Sequence, residues 1–243
     1  MPGGNNCSGG NFASCHSDQV FQPGTPGREG GANPKKCAYL NLGTQGLPDE
    51  ARNGMAAAPK GGPIKRGDGS TWGASSGKPE NYVIPGDQLE NATVERCQKA
   101  LQQGYGCCEL DNMDGCEDPG QSKIPSCGKI VELYNKICAL SAAPPYNGSC
   151  VVKNSPKILK QLLSSGARVD YVIAEFGVDQ PQALKEILAS GIPANKVHAV
   201  FYTKGKGDAA AACSQAAGLG GMIVNSHKDE TVDPAFQKPC GGQ

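Results

Sequence analysis

No window of the sequence approaches eighteen consecutive apolar residues, so no segment is suited to crossing a bilayer as a helix. The opening Met1-Pro2-Gly3-Gly4-Asn5-Asn6 lacks the basic start and apolar stretch of an export signal. An excess of one charge is missing too: 23 Lys and Arg stand against 23 Asp and Glu, and the pI is near 6.8. A chain so balanced has no sustained positive field for polyanions, so neither nucleic acid nor a membrane is expected as a partner. Aromatics make up 5% of the residues, with Trp72 the single tryptophan. No G-x-G-x-x-G or P-loop follows an apolar run, which removes the usual ground for a nucleotide cofactor. The three histidines, His16, His198 and His227, lie far apart without an H-E-x-x-H setting, and no C-x-x-C pair occurs. The expectation is a protein with no metal and no cofactor, whose histidines are surface or structural.

Cysteine, by contrast, is abundant. Twelve in 243 residues is a high share for a reducing compartment, and the even count fits a disulfide framework. Three N-x-S/T triplets, at Asn6, Asn91 and Asn147, mark candidate glycosylation sites in the same extracellular setting. Residues 1–36 hold eight Gly and four Pro, a composition poorly suited to helix or central strand. They read as an extended arm, anchored by bonding Cys7 and Cys15, that is available for self-assembly. The body is expected over residues 37–230 and a tail over 231–243.

Within the body, short apolar runs alternate with amphipathic segments, the βαβ rhythm of a parallel sheet. Strands are predicted at residues 37–42, 82–84, 107–110, 150–152, 171–174, 197–202 and 222–224. Helices are predicted at 88–103, 127–140, 156–164, 181–189 and 208–217, most opening at Pro or an acid and ending near Gly. In the second of these, Ile130, Val131, Tyr134, Ile137 and Cys138 share one face. Residues 43–79 form a long loop. Seven strands in this order leave an open doubly wound sheet or a (β/α)8 TIM-like barrel whose missing strand comes from the arm around Gln19–Gln22. With no nucleotide fingerprint, the barrel is preferred.

Chemistry concentrates at one acidic run, Glu109-Leu110-Asp111-Asn112-Met113-Asp114-Gly115, just after an apolar strand. In a parallel βα fold that end faces the active site, and strand alternation puts Glu109 and Asp111 on one face. Glu175 ends the strand Tyr171-Val172-Ile173-Ala174. Carboxylates at two strand ends suit glycoside hydrolysis, one protonating the leaving oxygen while the other attacks the sugar or activates water. Two blander readings compete. A calcium loop lacks its bidentate Glu and flanking helices here, whereas a polar turn needs nothing more than what is present. Lys204-Gly205-Lys206-Gly207 reads as a solvated turn, and Trp72 as either a sugar platform or an interface anchor.

The run Cys108-Glu109-Leu110-Asp111-Asn112-Met113-Asp114-Gly115 resembles the E-P-D-N-V-D-G signature of the endo-α-1,4-polygalactosaminidase family of glycoside hydrolases, family 114, which have TIM-barrel folds. In the same order, Cys37-Ala38-Tyr39-Leu40-Asn41-Leu42-Gly43 is similar to the family's second strand and Tyr134-Asn135 to its helix after the acidic motif. Lys153-Asn154 is similar to its Lys-Asn strand end, and Ala174-Glu175 to its Asn-Glu strand end. The resemblance covers residues 37–225. It implies Asp111 and Glu175 as the catalytic pair, with Glu109, Asn112, Asp114, Lys153 and Asn154 facing the substrate. Departures are Ala174 before Glu175, Ser155 after Lys-Asn, and an unrecognisable first strand-helix unit. The implied protein is a secreted hydrolase of an amino-sugar-rich, galactosaminogalactan-like polysaccharide. The competing expectation is a non-catalytic, fibril-forming extracellular glycoprotein on a degenerate barrel.

Overall fold

The computed structural model describes residues 37–41, 44–45, 81–82, 87–102, 104–117, 127–177, 179–203 and 208–226. The 1–36 arm with Cys7, Cys15 and Gln19–Gln22, and the 231–243 tail, lie outside them. So do Asn6, His16, Trp72, residues 204–207 and His227.

Six parallel strands form the sheet: β1 (Cys37–Asn41), β4 (Cys107–Asp111), β5 (Ser149–Lys153), β6 (Tyr171–Gly177), β7 (Val197–Thr203) and β8 (Gly221–Ser226), hydrogen-bonded in that order. A two-residue antiparallel ribbon of β2 (Thr44–Gln45) and β3 (Asn81–Tyr82) stands apart from it. Tyr82, the first residue of the strand predicted at 82–84, therefore belongs to this ribbon and not to the parallel series. The apolar Tyr-Val-Ile run has the composition of a buried strand; Val83 and Ile84 lie outside the described residues, and Tyr82 pairs with Thr44. The sheet curls into an α/β half-barrel of TIM-like type.

Helices α1 (Asp87–Gln102), α2 (Gly128–Ala142), α3 (Pro156–Ser164), α4 (Pro181–Ala189) and α5 (Asp208–Gln215) fill the connections. Two of them open on Pro and are followed by Gly. Pro156 and Pro181 sit at the first helical position, where a missing N–H costs nothing, and Gly166 and Gly191 follow with φ of 73° and 97°. Each helix lays an apolar stripe on the sheet: Cys97, Ala100 and Leu101 from α1; Ile130, Leu133, Tyr134 and Ile137 from α2; Ile158, Leu159 and Leu162 from α3. Each of those large apolar side chains contributes about 1.5–3 kcal/mol on burial. Facing them from the strands are Ala38, Leu40, Cys108, Leu110, Val152, Val172, Ala174, Phe176, Ala199 and Phe201. On α2 the predicted face is nearly right, with Leu133 and Ser141 buried and Val131 and Cys138 half-buried.

Disulfides reinforce this packing. Cys97–Cys108, Cys116–Cys127 and Cys138–Cys150 each close a loop of 11 or 12 residues, whereas Cys37–Cys107 ties β1 to β4 across 70. By loop-closure entropy the short bridges contribute about 3 kcal/mol each and the long one about 4. Cys213 is also disulfide-bonded. Close backbone approach fixes where β5 begins: the Ser149 N–H donates to the Gly106 oxygen, and a Cβ on Gly148 would lie 2.1 Å from that same atom.

Candidate functional site

Alternation along each strand sends every second side chain to the concave face. On β4 these are Cys107, Glu109 and Asp111; on β5, Val151 and Lys153; on β6, Tyr171, Ile173 and Glu175; on β7, His198, Val200 and Tyr202. The strands are paired in register, Glu109 beside Val151, Lys153 beside Ile173 and Glu175 beside Val200. The concave face is therefore layered. Its N-terminal layer is apolar, made of Cys37, Cys107, Val151, Ile173 and Val200. Its C-terminal layer is ionic.

Lys153 is the centre of the ionic layer. Its side chain is 0% exposed, and its Nζ lies 2.6 Å from Glu175 Oε2, 3.0 Å from Asp111 Oδ2 and 3.6 Å from Glu109 Oε1. Because two of those oxygens sit on the same nitrogen, the Asp111 and Glu175 carboxylates approach to no more than the sum of the two contacts, about 5.6 Å. Burial by itself pushes the ammonium toward the neutral form, but Asp111, Glu175 and Glu109 together outweigh it and hold Lys153 well above its ordinary value. Its ammonium faces three carboxylates, so these four groups, among the described residues, carry an excess of two formal negative charges when all are ionised.

Further hydrogen bonds fix the two outer acids. The Asn112 N–H donates to Asp111 Oδ1 at 2.8 Å, and the Tyr202 hydroxyl donates to Glu175 Oε1. Exposure separates the group in two: Glu109, at 1%, is closed off with Lys153, whereas the Asp111 and Glu175 side chains reach solvent at 8% and 16%. Among the described residues no group of three or more His, Cys, Asp or Glu is arranged to hold a metal ion. The position between the carboxylates is filled by an ammonium.

The backbone turns sharply at the strand ends. Asn112, Asn154 and Ser155 have φ of 57°, 53° and 51°, a left-handed conformation that asparagine tolerates and that costs serine about 1–2 kcal/mol. Asn154 offsets part of this by tying β5 to β6: its N–H donates to the Ile173 oxygen, and its Oδ1 accepts the Glu175 N–H, both at 2.8 Å. Ser155, 1% exposed, sits at the N-cap of α3 and gives it no side-chain hydrogen bond. That task falls to Glu117, from the 3-10 turn Met113–Glu117 after β4. Its Oε1 accepts the Ile158 N–H at 2.7 Å, while its carbonyl accepts Lys157 Nζ at 3.0 Å. Burial pushes the Glu117 carboxyl up, against the lowering effect of that hydrogen bond. The contact pins the acidic loop to the turn that follows Lys153.

Of the residues singled out in the sequence, Asp111, Glu175, Glu109 and Lys153 come together in one cluster. Asn154 and Asn112 shape its backbone, and Asp114 lies half-buried in the adjoining 3-10 turn. Asn91 and Asn147 are exposed, on α1 and in the turn before β5. His198 is buried in a T-shaped contact with the Tyr171 ring, centroids 5.3 Å apart, and burial pushes its imidazole below the ordinary value. Tyr202 and Glu117 escaped notice. Period-two alternation from Val200 points Tyr202 to the concave face, but nothing local signals Glu117, whose partner lies 41 positions away.

No protein-family model matches the chain, and no curated protein matches it. Solved structures do, at the level of fold. Ega3 of Aspergillus fumigatus, crystallised in complex with galactosamine, matches with a TM-score of 0.57 and 15% identity, over 82% of this chain and 77% of that one. The glycoside hydrolase domain of PelA from Pseudomonas aeruginosa matches with a TM-score of 0.52 and 16% identity, over 82% of each chain. A single-residue variant of that domain matches with a TM-score of 0.50 and 14% identity.

Proposed function

We propose that this chain is a secreted glycoside hydrolase that cleaves an amino-sugar-rich, galactosaminogalactan-like polysaccharide through Asp111 and Glu175. The observation that carries this reading is the pair itself: two partly exposed carboxylates at the ends of the two strands that flank β5, their nearest oxygens within about 5.6 Å across one buried ammonium. Retaining pairs stand about 5–5.5 Å apart and inverting pairs about 6.5–9.5 Å, so the geometry favours retention. One carboxyl protonates the glycosidic oxygen as the other attacks the anomeric carbon to give a glycosyl-enzyme. The first then takes a proton from the water that hydrolyses it.

The excess negative charge of the cluster suits a substrate with free amino groups, and the disulfides suit an oxidising exterior. The fold neighbours support the same reading, since one was crystallised with galactosamine and another is a glycoside hydrolase domain. Glu109 and Lys153, closed to solvent, take the role of charge organisers, and Asn112, Asp114 and Asn154 remain the candidates for sugar contact. The closed eight-stranded barrel belongs to this proposal, as does an N-terminal arm that completes it or links subunits.

The test is release of reducing ends from a de-N-acetylated galactosamine polymer. Asp111→Asn and Glu175→Gln are each expected to lower kcat by about 10²–10⁴-fold in a folded protein. The first product should keep the anomeric configuration of the substrate. An intact protein that hydrolyses no amino-sugar polymer but assembles into ordered filaments would overturn the enzyme reading in favour of the structural one.

A further inference from the structure

The most informative contact outside the acid pair and its lysine is the one Tyr202 makes from β7. Tyr202 packs its ring against the apolar layer of Cys37, Cys107, Val151, Ile173 and Val200, and its hydroxyl donates to Glu175 Oε1. Lys153 holds Oε2 of the same carboxylate, and Asn154 accepts the Glu175 backbone N–H. Glu175 is thus gripped at both oxygens and at its main chain, by elements on either side of β6. A glutamate side chain has three rotatable bonds, so the two grips on its oxygens decide where its carboxylate points.

We propose that Tyr202 is a positioning residue: its hydroxyl fixes the orientation of the Glu175 carboxylate and stabilises its charged form, independently of the packing done by the ring. The inference rests on the hydrolase reading for its kinetic consequence but not for its chemical one. A phenol donates readily to a carboxylate and has no equal contact to offer a carboxylic acid whose oxygen no longer carries full charge. Among the described residues, the other charged groups meeting Glu175 are Lys153 directly, with Asp111 and Glu109 through it. They stay in place when only the phenolic oxygen is removed.

The experiment is Tyr202→Phe, which keeps the ring in its apolar bed. In protein labelled with 13C at the Glu carboxyls, with the Glu175 signal assigned by its loss in Glu175→Gln, the Glu175 titration midpoint should rise by about one pH unit. On the amino-sugar polymer, kcat should fall about tenfold with KM nearly unchanged, and the limb of the pH profile that Glu175 governs, acidic for a nucleophile and basic for a general acid, should move up with the midpoint. A monofluorinated tyrosine at the same position is a stronger donor and should move the midpoint down, which guards against a folding defect in the first variant. A midpoint unchanged in both variants overturns the proposal. A wild type without activity whose Glu175 midpoint still moves as stated overturns the hydrolase reading and leaves the contact established.

Discussion

The two layers of the concave face lie on the same strands, two residues apart, and are built on opposite principles. The N-terminal layer is a small apolar core closed by a disulfide between β1 and β4 and by the Tyr171–His198 contact. The C-terminal layer buries an ammonium among three carboxylates. A buried ionic cluster adds little stability over well-packed apolar residues, because desolvation consumes most of the Coulombic gain. The difference teaches that the strands are stabilised by their lower halves and by the helices outside, which leaves the upper halves free to hold charge where chemistry needs it.

Replacing the cation should break the comparison most severely. Lys153→Met strands three carboxylates in a site built around a positive charge, and the expected cost is about 3–5 kcal/mol in a urea titration, together with loss of activity. Next comes the long bridge. With Cys37→Ala and Cys107→Ala combined, stability should fall by about 4 kcal/mol while the Lys153 cluster, held by β4 to β6, keeps its geometry, so kcat should survive at low temperature. Ile173→Val trims one methylene from the apolar layer and should cost about 0.5–1.5 kcal/mol with unchanged kcat. The smallest effect is the acid response of His198. Burial holds the folded imidazole below 6.5, so the unfolded chain takes up the proton first as pH falls. The contribution of this group is full above about pH 6.5 and fades as pH drops through the lower folded value. Thermal melts between pH 7.5 and 5 should show a loss that His198→Gln removes.

Much of this was legible in the sequence where the signals are local. Helices α3 and α4 end where Pro and Gly require, and the alternation of β4 predicted that Glu109 and Asp111 share a face. Lys153 was legible as a site residue but not as the centre of one, because its role depends on carboxylates from two other strands, β4 and β6, converging on one atom. At Tyr82 the sequence carried no information about the partner, as is usual for a short apolar run, and the structure pairs it with Thr44 in an antiparallel ribbon. Tyr202 needed the register of β6 and β7 before its reach to Glu175 could be seen.

Adjacent cysteines at 107 and 108 have a consequence for oxidative assembly. Cys107 bonds Cys37 on the concave face, and Cys108 bonds Cys97 of α1 on the helical side. A chain emerging from its N-terminus could close the 11-residue loop from Cys97 to either neighbour at almost the same entropic cost, so loop length cannot select the partner. The pleat of β4 must do so, because a swap to Cys97–Cys107 with Cys37–Cys108 would invert the strand. Inversion would send Glu109 and Asp111 toward α1 and α2 and bring Leu110 to the concave face. Correct thiol pairing therefore acts as a proofreading step for the orientation of the acids, and an isomer with scrambled bridges would be blank at the site even if every helix formed.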